Sequence, residues 1–451
     1  MKPRTAASLP YTLSIVSKTN LKKTKNKKTT SPAASSRSSG SLFTWDAALR
    51  TYDPLDLLRT AMQGRVPALA AVKYERMAAS SFGFFRGAAP IMAADLSLTP
   101  HTGLTTQICG DAHVQNFGAY AGPDGRLIFD INDFDETIRA PFEWDLKRMA
   151  TSILLAGRQA HFKNAGSSFA AALFLTTYCD LMRTFARMPV LEVARYQVHR
   201  LAEVTSVTRA LRKAKRRTPN LTVESLTEPD PKGGGRIFKT HPPLLRRVAG
   251  KERTAVLTSL QPYLASLQPE RRHFFAQYRP MDVAFKVVGI GSAGLRDYCV
   301  SMQGNGSDDP LFLQIKEEVA SCYTPYLPRD PRQAKHQGQR VVEGQRAMQL
   351  QSDPLLGWTT CEGRDYLVRQ LNDHKATVDA TRFNPEGLSQ YAMVCGEMLA
   401  RGHARSGNAH DLAACFGKPK QFKKAILTYA TAYADQTEKD WKAMLKAAKA
   451  K

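Results

Sequence analysis

Apolar and polar positions follow two different periods along this chain, and the change of period divides it. From Trp45 to about residue 82, apolar residues recur at i, i+3 and i+4, as in Leu57, Leu58 and Met62, which predicts helix. Thr105–Cys109 and Leu127–Ile131 are short runs rich in β-formers, and Gly122-Pro-Asp-Gly125 between them is turn chemistry. Residues 142–215 predict successive helices. One of these begins near Leu191 and closes on the basic run at 212–217, where cations suit the helix dipole. Thr218 to Pro243 is polar and rich in Gly and Pro, which predicts a long surface loop, and helix resumes over 251–278. At Asp282 the texture becomes strand-like, with runs at 282–288, 295–302 and 311–316. A helix over 333–350 follows, then strands over 356–360 and 365–371, then helices over 386–406 and 420–448. There is no internal repeat.

The pattern predicts an α+β protein of two lobes: a mainly helical lobe over 45–279, a β-rich lobe over 280–371, and closing helices over 372–451 that pack on the first lobe. Its 451 residues are enough to bury a substantial core, and the apolar share of 43% is ordinary. The formal charge of +24 alters the picture at one end. Residues 1–40 hold nine Lys or Arg and no acid, so 1–44 reads as a solvated basic tail. Contact with nucleic acid or another acidic surface is its functional reading. The tail lacks the long apolar stretch of a secretory signal, and the best candidate span, Phe169–Met182, is short and carries Asp180. Seven scattered cysteines without C-x-x-C spacing argue against zinc and a disulfide framework, and fit a cytoplasmic location.

The candidate chemistry begins at Gly-Asp-Ala-His-Val-Gln-Asn (110–116). One tight loop there presents Asp111, which can accept a hydroxyl proton, and Asn116, whose amide oxygen can ligate magnesium; His113 lies between them. Asp133 follows the Leu127–Ile131 strand within a densely acidic segment, and such packing calls for a cation or basic side chains. Asp133 is the main candidate metal ligand, with Asp130 or Asp135 as second ligands. Asp145, in Pro141 to Arg148, either caps a helix or turns inward to brace the loop backbone.

Gly289-Ile-Gly291-Ser292-Ala-Gly294 is flanked by strands on both sides, which favours a hairpin folded over phosphates rather than a dinucleotide-binding turn. Lys316 ends the next strand, suited to contact nucleotide phosphates. Its expected acidic partner is Glu343 on the following helix, although Glu317 and Glu318 are nearer in sequence. Arg369, Asp373 and Lys375 fall on a connector between lobes.

Together these residues resemble the protein-kinase-like superfamily, in particular its aminoglycoside- and choline-kinase-like branch. The matching pieces are Gly110 to Asn116, Asn132-Asp133-Phe134 and Asp145-Leu146; Cys109 stands where that branch usually has His. The resemblance implies Asp111 as catalytic base, Asn116 and Asp133 as magnesium ligands, and Asp145 as the brace. More closely, most of residues 70–410 is similar to an uncharacterised bacterial family, domain of unknown function 2252. The segments that carry this likeness are Phe84-Phe-Arg-Gly87, Gly110–Glu136, Pro141–Arg148, the Gly289 loop with Lys316, and Leu399–Gly407. In kinases the glycine loop and its lysine precede the catalytic loop, whereas here they follow it. We therefore expect a circularly permuted kinase-like fold; a normal order with Lys73 as the nucleotide lysine ranks below it. The expected function is ATP- and Mg2+-dependent phosphoryl transfer to a small-molecule or protein hydroxyl. The alternatives are nucleotidyl transfer from the same cleft, a non-catalytic basic nucleic-acid-binding protein with a degenerate core, and metal-dependent phosphate-ester hydrolysis, which leaves the glycine loop unexplained.

Overall fold

Caps and prolines set the first helices. The computed structural model describes residues 44–449 apart from 199–200, 202, 232, 234, 243, 287–293, 307, 372–374 and 380–381. Asp53 accepts from the N–H groups of Leu55 and Asp56 to cap α1 (Pro54–Ala61), and Pro67 opens α2 (Pro67–Ala78). Ser80 caps α3 (Ser81–Gly87) through Gly83 N–H, and α4 (Ala89–Ser97) follows.

Four short strands come next. β1 (Thr105–Ile108) pairs antiparallel with β4 (Ile138–Pro141). Between them β2 (Phe117–Ala121) and β3 (Leu127–Ile131) form a hairpin closed by the Gly122–Gly125 turn. The helices α5 (Glu143–Gln159), α6 (Asn164–Phe185), α7 (Val190–Arg195), α8 (Thr205–Lys215) and α9 (Pro219–Leu226) follow. A small hairpin, β5 (Thr227–Pro229) and β6 (Arg236–Phe238), precedes β7 (Leu245–Arg247) and three short helices, α10 (Gly250–Thr258), α11 (Leu260–Ser266) and α12 (Pro269–Phe275).

The main sheet is then completed by β8 (Arg279–Lys286), β9 (Asp297–Gln303), β10 (Pro310–Glu317), α13 (Gln337–Met348), β11 (Gly357–Cys361) and β12 (Arg364–Gln370). Its strand order is β11-β12-β10-β9-β8-β7, antiparallel throughout. The sheet thus draws on residues before 280, because β7 forms its edge and α10–α12 pack on one face. β13 (Ala376–Thr377) returns to the first half of the chain and pairs with β2. The chain closes with α14 (Pro385–Ser406), α15 (Ala409–Ala414) and α16 (Pro419–Lys449). The protein is a mixed α and β structure. No helix among the described residues is long and apolar enough to cross a membrane.

Two sequence expectations need correction. The helix expected from Leu191 through the basic run is two helices, α7 and α8, separated by an extended stretch at Tyr196–Val198. The loop expected over 218–243 contains α9 and the β5–β6 hairpin, because Thr222, Thr227 and Phe238 find buried positions there.

The sheet positions its chemistry by simple alternation. On β10, Leu311, Leu313 and Ile315 face the apolar core shared with Val256, Tyr263 and Phe275 of α10–α12. Phe312, Gln314 and Lys316 therefore point to the opposite face. In the helical half, α14 packs along α6 and α16 along α5. Gly396 permits the first of these contacts: a Cβ there would lie 2.7 Å from the Phe174 carbonyl oxygen.

Arg50 ties the first helices to the last. Its guanidinium donates to Asp95 of α4 at 2.8 and 2.6 Å and to Asp440 of α16 at 2.9 and 2.8 Å. The Tyr52 and Tyr433 hydroxyls complete the shell of Asp95, which is fully buried. Arg50→Met removes the cation and strands the Asp95 charge. It is expected to cost about 3–5 kcal/mol, read as a lowered urea midpoint at unchanged slope.

Candidate active site

The first loop is held by its backbone. β1 delivers the chain to Gly110, whose φ of +78° falls in the left-handed region, and a Cβ there would overlap the carbonyl of Glu136. Asp145, in the first turn of α5, accepts from the backbone N–H groups of Cys109 at 2.9 Å and Gly110 at 3.0 Å. His403 of α14 lies 3.3 Å from the same carboxylate, and the Tyr178 hydroxyl is 2.8 Å from the other ring nitrogen of His403. Tyr323 donates to the Gly110 carbonyl at 2.7 Å. The loop is therefore set from both sides before any of its side chains acts.

One turn along α5 from Asp145, Arg148 is fully buried and donates to Asp111 Oδ1 from Nε at 2.8 Å and Nη2 at 2.5 Å. Asp111 Oδ2 is left 3.6 Å from His113 Nε2. His113 Nδ1 accepts from Gln115 N–H at 3.2 Å. Burial, then the charges of Arg86 and Arg148, hold the imidazole well below its ordinary pKa and keep it neutral.

Asn116 joins the two loops. Its Nδ2 donates to the Asp111 carbonyl at 2.9 Å and the Asp133 carbonyl at 3.0 Å, which fixes the orientation of the amide. Its Oδ1 is buried and has no hydrogen-bond partner among the described residues. Such an acceptor is costly to leave without a donor or a cation. The Asp133 carboxyl is raised above the usual range by burial, then by the charge of Asp135, whose N–H it accepts at 3.3 Å.

Lys316 reaches this acidic loop from β10 and forms an ion pair with both carboxylate oxygens of Asp135; Glu318 lies 3.8 Å away. Burial, the largest single influence, pushes the Asp135 carboxyl up, but the charge of Lys316, the hydrogen bonds with Asp133 and Lys316 and the charge of Arg369 together leave the group lowered. Glu318 is pushed well above its ordinary value by burial and by the charge of Asp135.

Several expected placements change. Glu343 does not hold Lys316: it is exposed on the outer face of α13 and accepts from Gln339 one turn earlier. The α13 residue that reaches the loop is Arg340, which donates to the carbonyls of Asp135, Thr137 and Val319 at 2.8, 2.6 and 2.9 Å. Asp130 is no companion ligand to Asp133, because it is fully buried against Arg401 at 2.5 Å. Gly289, Gly291 and Ser292 lie outside the described residues, as does Asp373. Gly294 is described; it has a φ of +105°, and its carbonyl accepts from Val66 N–H at 2.8 Å. On the neighbouring strand Arg369 donates to Gln314 at 2.9 Å, and burial and the charge of Arg369 lower Lys375 to about 7.

Asp111, Asp133, Asp135, Glu136 and Glu318 line one cleft with a volume of about 40 Å³. Arg65, Lys73 and Arg86 line it too. Lys73 is 3% exposed, and burial, then the charge of Arg65, lower its ammonium to about 7. Lys73 and Lys316, treated in the sequence as rivals, thus belong to the same acidic cluster. Arg86 donates to Gln115 at 2.7 Å. Among the described residues, no group of three or more His, Cys, Asp or Glu side chains is arranged to hold a metal. The donor set, one buried amide oxygen and one carboxylate, suits Mg2+, which keeps several waters and takes phosphate oxygens as further ligands.

Asp145→Asn tests the brace. An amide offers one acceptor where two N–H groups converge, so a loss of about 1–3 kcal/mol is expected. Amide hydrogen exchange at Cys109 and Gly110 is expected to accelerate more than exchange elsewhere in α5.

No curated protein and no solved structure matches the chain. The family described as an uncharacterized protein conserved in bacteria, DUF2252, matches residues 65–447, a span holding every charged side chain placed in the cleft above. The chain belongs to the DUF2252 family.

Proposed function

We propose that this protein is an ATP- and Mg2+-dependent phosphotransferase with a circularly permuted kinase-like arrangement, acting on a hydroxyl acceptor. The observation that carries this reading is the meeting of Lys316 with Asp135, two residues beyond Asp133, across 181 residues of chain. Kinases place their phosphate-binding lysine on the third strand, after a glycine loop and before a helix, and hold magnesium with a catalytic-loop Asn and an Asp that precedes Phe. Here Lys316 lies on β10, after β8, the Gly289–Gly294 segment and β9, and before α13. Asn116 and Asp133 supply the second half of that set, and the unpartnered Oδ1 of Asn116 supports a cation there. The arrangement departs from kinases at α13, where Arg340 rather than a glutamate faces inward.

Asp111 would orient the acceptor hydroxyl and take its proton through Oδ2, while Arg148 fixes Oδ1. Neutral His113 would position rather than transfer charge. Asn116 Oδ1 and the Asp133 carboxylate would hold Mg2+, which when bound neutralises charge on the transferring phosphoryl group. Lys316 would contact nucleotide phosphates, with Asp135 and Glu318 as its resting partners.

Thermal unfolding in Mg2+–ATP is the test. At about one hundred times its Kd, the ligand is expected to stabilise the wild type by about 2.7 kcal/mol. Asp133→Ala is expected to lose the magnesium-dependent part; Lys316→Ala is expected to lose ATP binding and, because Asp135 is left without its cation, to unfold cooperatively at a lower temperature than the wild type. No stabilisation of the wild type sinks this reading. Salt-sensitive binding of generic DNA in its place would select the non-catalytic alternative.

A further inference from the structure

We infer that Arg65 and Lys73 form a phosphate clamp, contributed by the first helices, that holds the terminal phosphates of a nucleoside triphosphate opposite Lys316. This rests on the nucleotide reading above and extends it to residues outside the sheet and its lysine.

Three observations converge on the clamp. The backbone leading into α2 is bonded to the glycine segment, because Val66 N–H donates to the Gly294 carbonyl at 2.8 Å. The Arg65 side chain lies directly against Gly294, where a Cβ would stand 2.8 Å from its aliphatic stem. Finally, Arg65 and Lys73 line the same cleft as Asp111 and Asp133.

The charges explain why such a clamp is needed. Five carboxylates line the cleft. Asp111 is matched by Arg148, and Asp135 by Lys316. Lys316 is therefore already engaged, and a polyphosphate entering here also meets the carboxyl groups of Asp133, Glu136 and Glu318. Like charges at such range repel by several kcal/mol in a poorly solvated site unless cations stand among them. A magnesium ion offsets part of this. The other positive charge that the chain itself brings to the cleft wall is Arg65, Lys73 and Arg86. Arg86 is directed to Gln115 and His113, on the Asp111 side. Arg65 packs against Gly294 and Lys73 lines the cleft beside it, which assigns the pair to the donor nucleotide rather than to the acceptor.

The clamp predicts an affinity gradient along the phosphate chain. Calorimetric titration of the full chain with Mg2+–ATP, Mg2+–ADP, AMP and adenosine measures it. In the wild type, affinity is expected to rise with each phosphate. Arg65→Gln and Lys73→Gln are each expected to weaken Mg2+–ATP by about tenfold or more, the loss of one charge-assisted hydrogen bond, and to leave adenosine unchanged. Arg65→Lys, which keeps the charge, is expected to recover most of the loss. Arg65 is only partly buried, so its variants decide the matter even if Lys73→Gln does not fold. Variants that bind Mg2+–ATP as tightly as wild type would overturn the clamp and leave the nucleotide reading standing. An equal fall for adenosine would also overturn it, since that marks lost site shape. A wild type that binds none of the four would overturn both.

Discussion

The buried ion pair between Lys316 and Asp135 is the constraint on which the site depends. Taking both charges out of water costs several kcal/mol each, and the attraction between them roughly offsets this, so the pair contributes little net stability. What it supplies is register. β10 can satisfy Lys316 in only one placement relative to the acidic loop, and that placement also brings Arg340 onto the carbonyls of Asp135 and Thr137. A slip of β10 by one residue would turn Lys316 into the apolar face and Ile315 into the cleft. The sheet and the two loops are thus locked together by a contact whose failure would leave charge buried on both sides.

The helical half solves a related problem in another way. Asp145 and Arg148 occupy one face of α5, three residues apart. One holds the loop through two backbone N–H groups, and the other holds the Asp111 side chain. A single helix therefore sets the position of the backbone and the orientation of its main carboxylate. His403 and Tyr178 fix Asp145 in turn, so the loop inherits the rigidity of the α5–α6–α14 core. Asn116 extends this order to the acidic loop through the carbonyls of Asp111 and Asp133, and its own side-chain oxygen has no hydrogen-bond partner among the described residues.

Much of this was legible in the chain because it is local. The Leu127–Ile131 run is a strand with those bounds, and the strand over 311–316 and the helix over 386–406 lie within a residue or two of their expected limits. Residues 110–116 and 133 fall together because a hairpin of ordinary length joins them. Glu343 was misplaced because helical periodicity says which residues share a face, not which face turns inward. Glu343 shares its face with Gln339, while Arg340 and Gly344 turn inward. Arg65 gave no signal, and Lys73 was read only as a lower-ranked alternative to Lys316. Their approach to Asp133 depends on how α2 packs, and nothing in their own neighbourhood encodes it. Arg148 was visible as a neighbour of Asp145, but its pairing with Asp111 required the turn of α5.

Arg50 has a consequence for the order in which the protein is made. Its two partners are Asp95, close by in the chain, and Asp440, which follows 390 residues later. At about 5–20 residues per second, the ribosome needs roughly 20–80 s to span that interval. Through that time Arg50 lacks one of its two carboxylate partners, and the first helices lack the surface of α16. The acidic loop waits in the same way for Lys316. The acidic loop thus precedes its lysine by 181 residues of synthesis, and the last helix to emerge is the one that closes on the first.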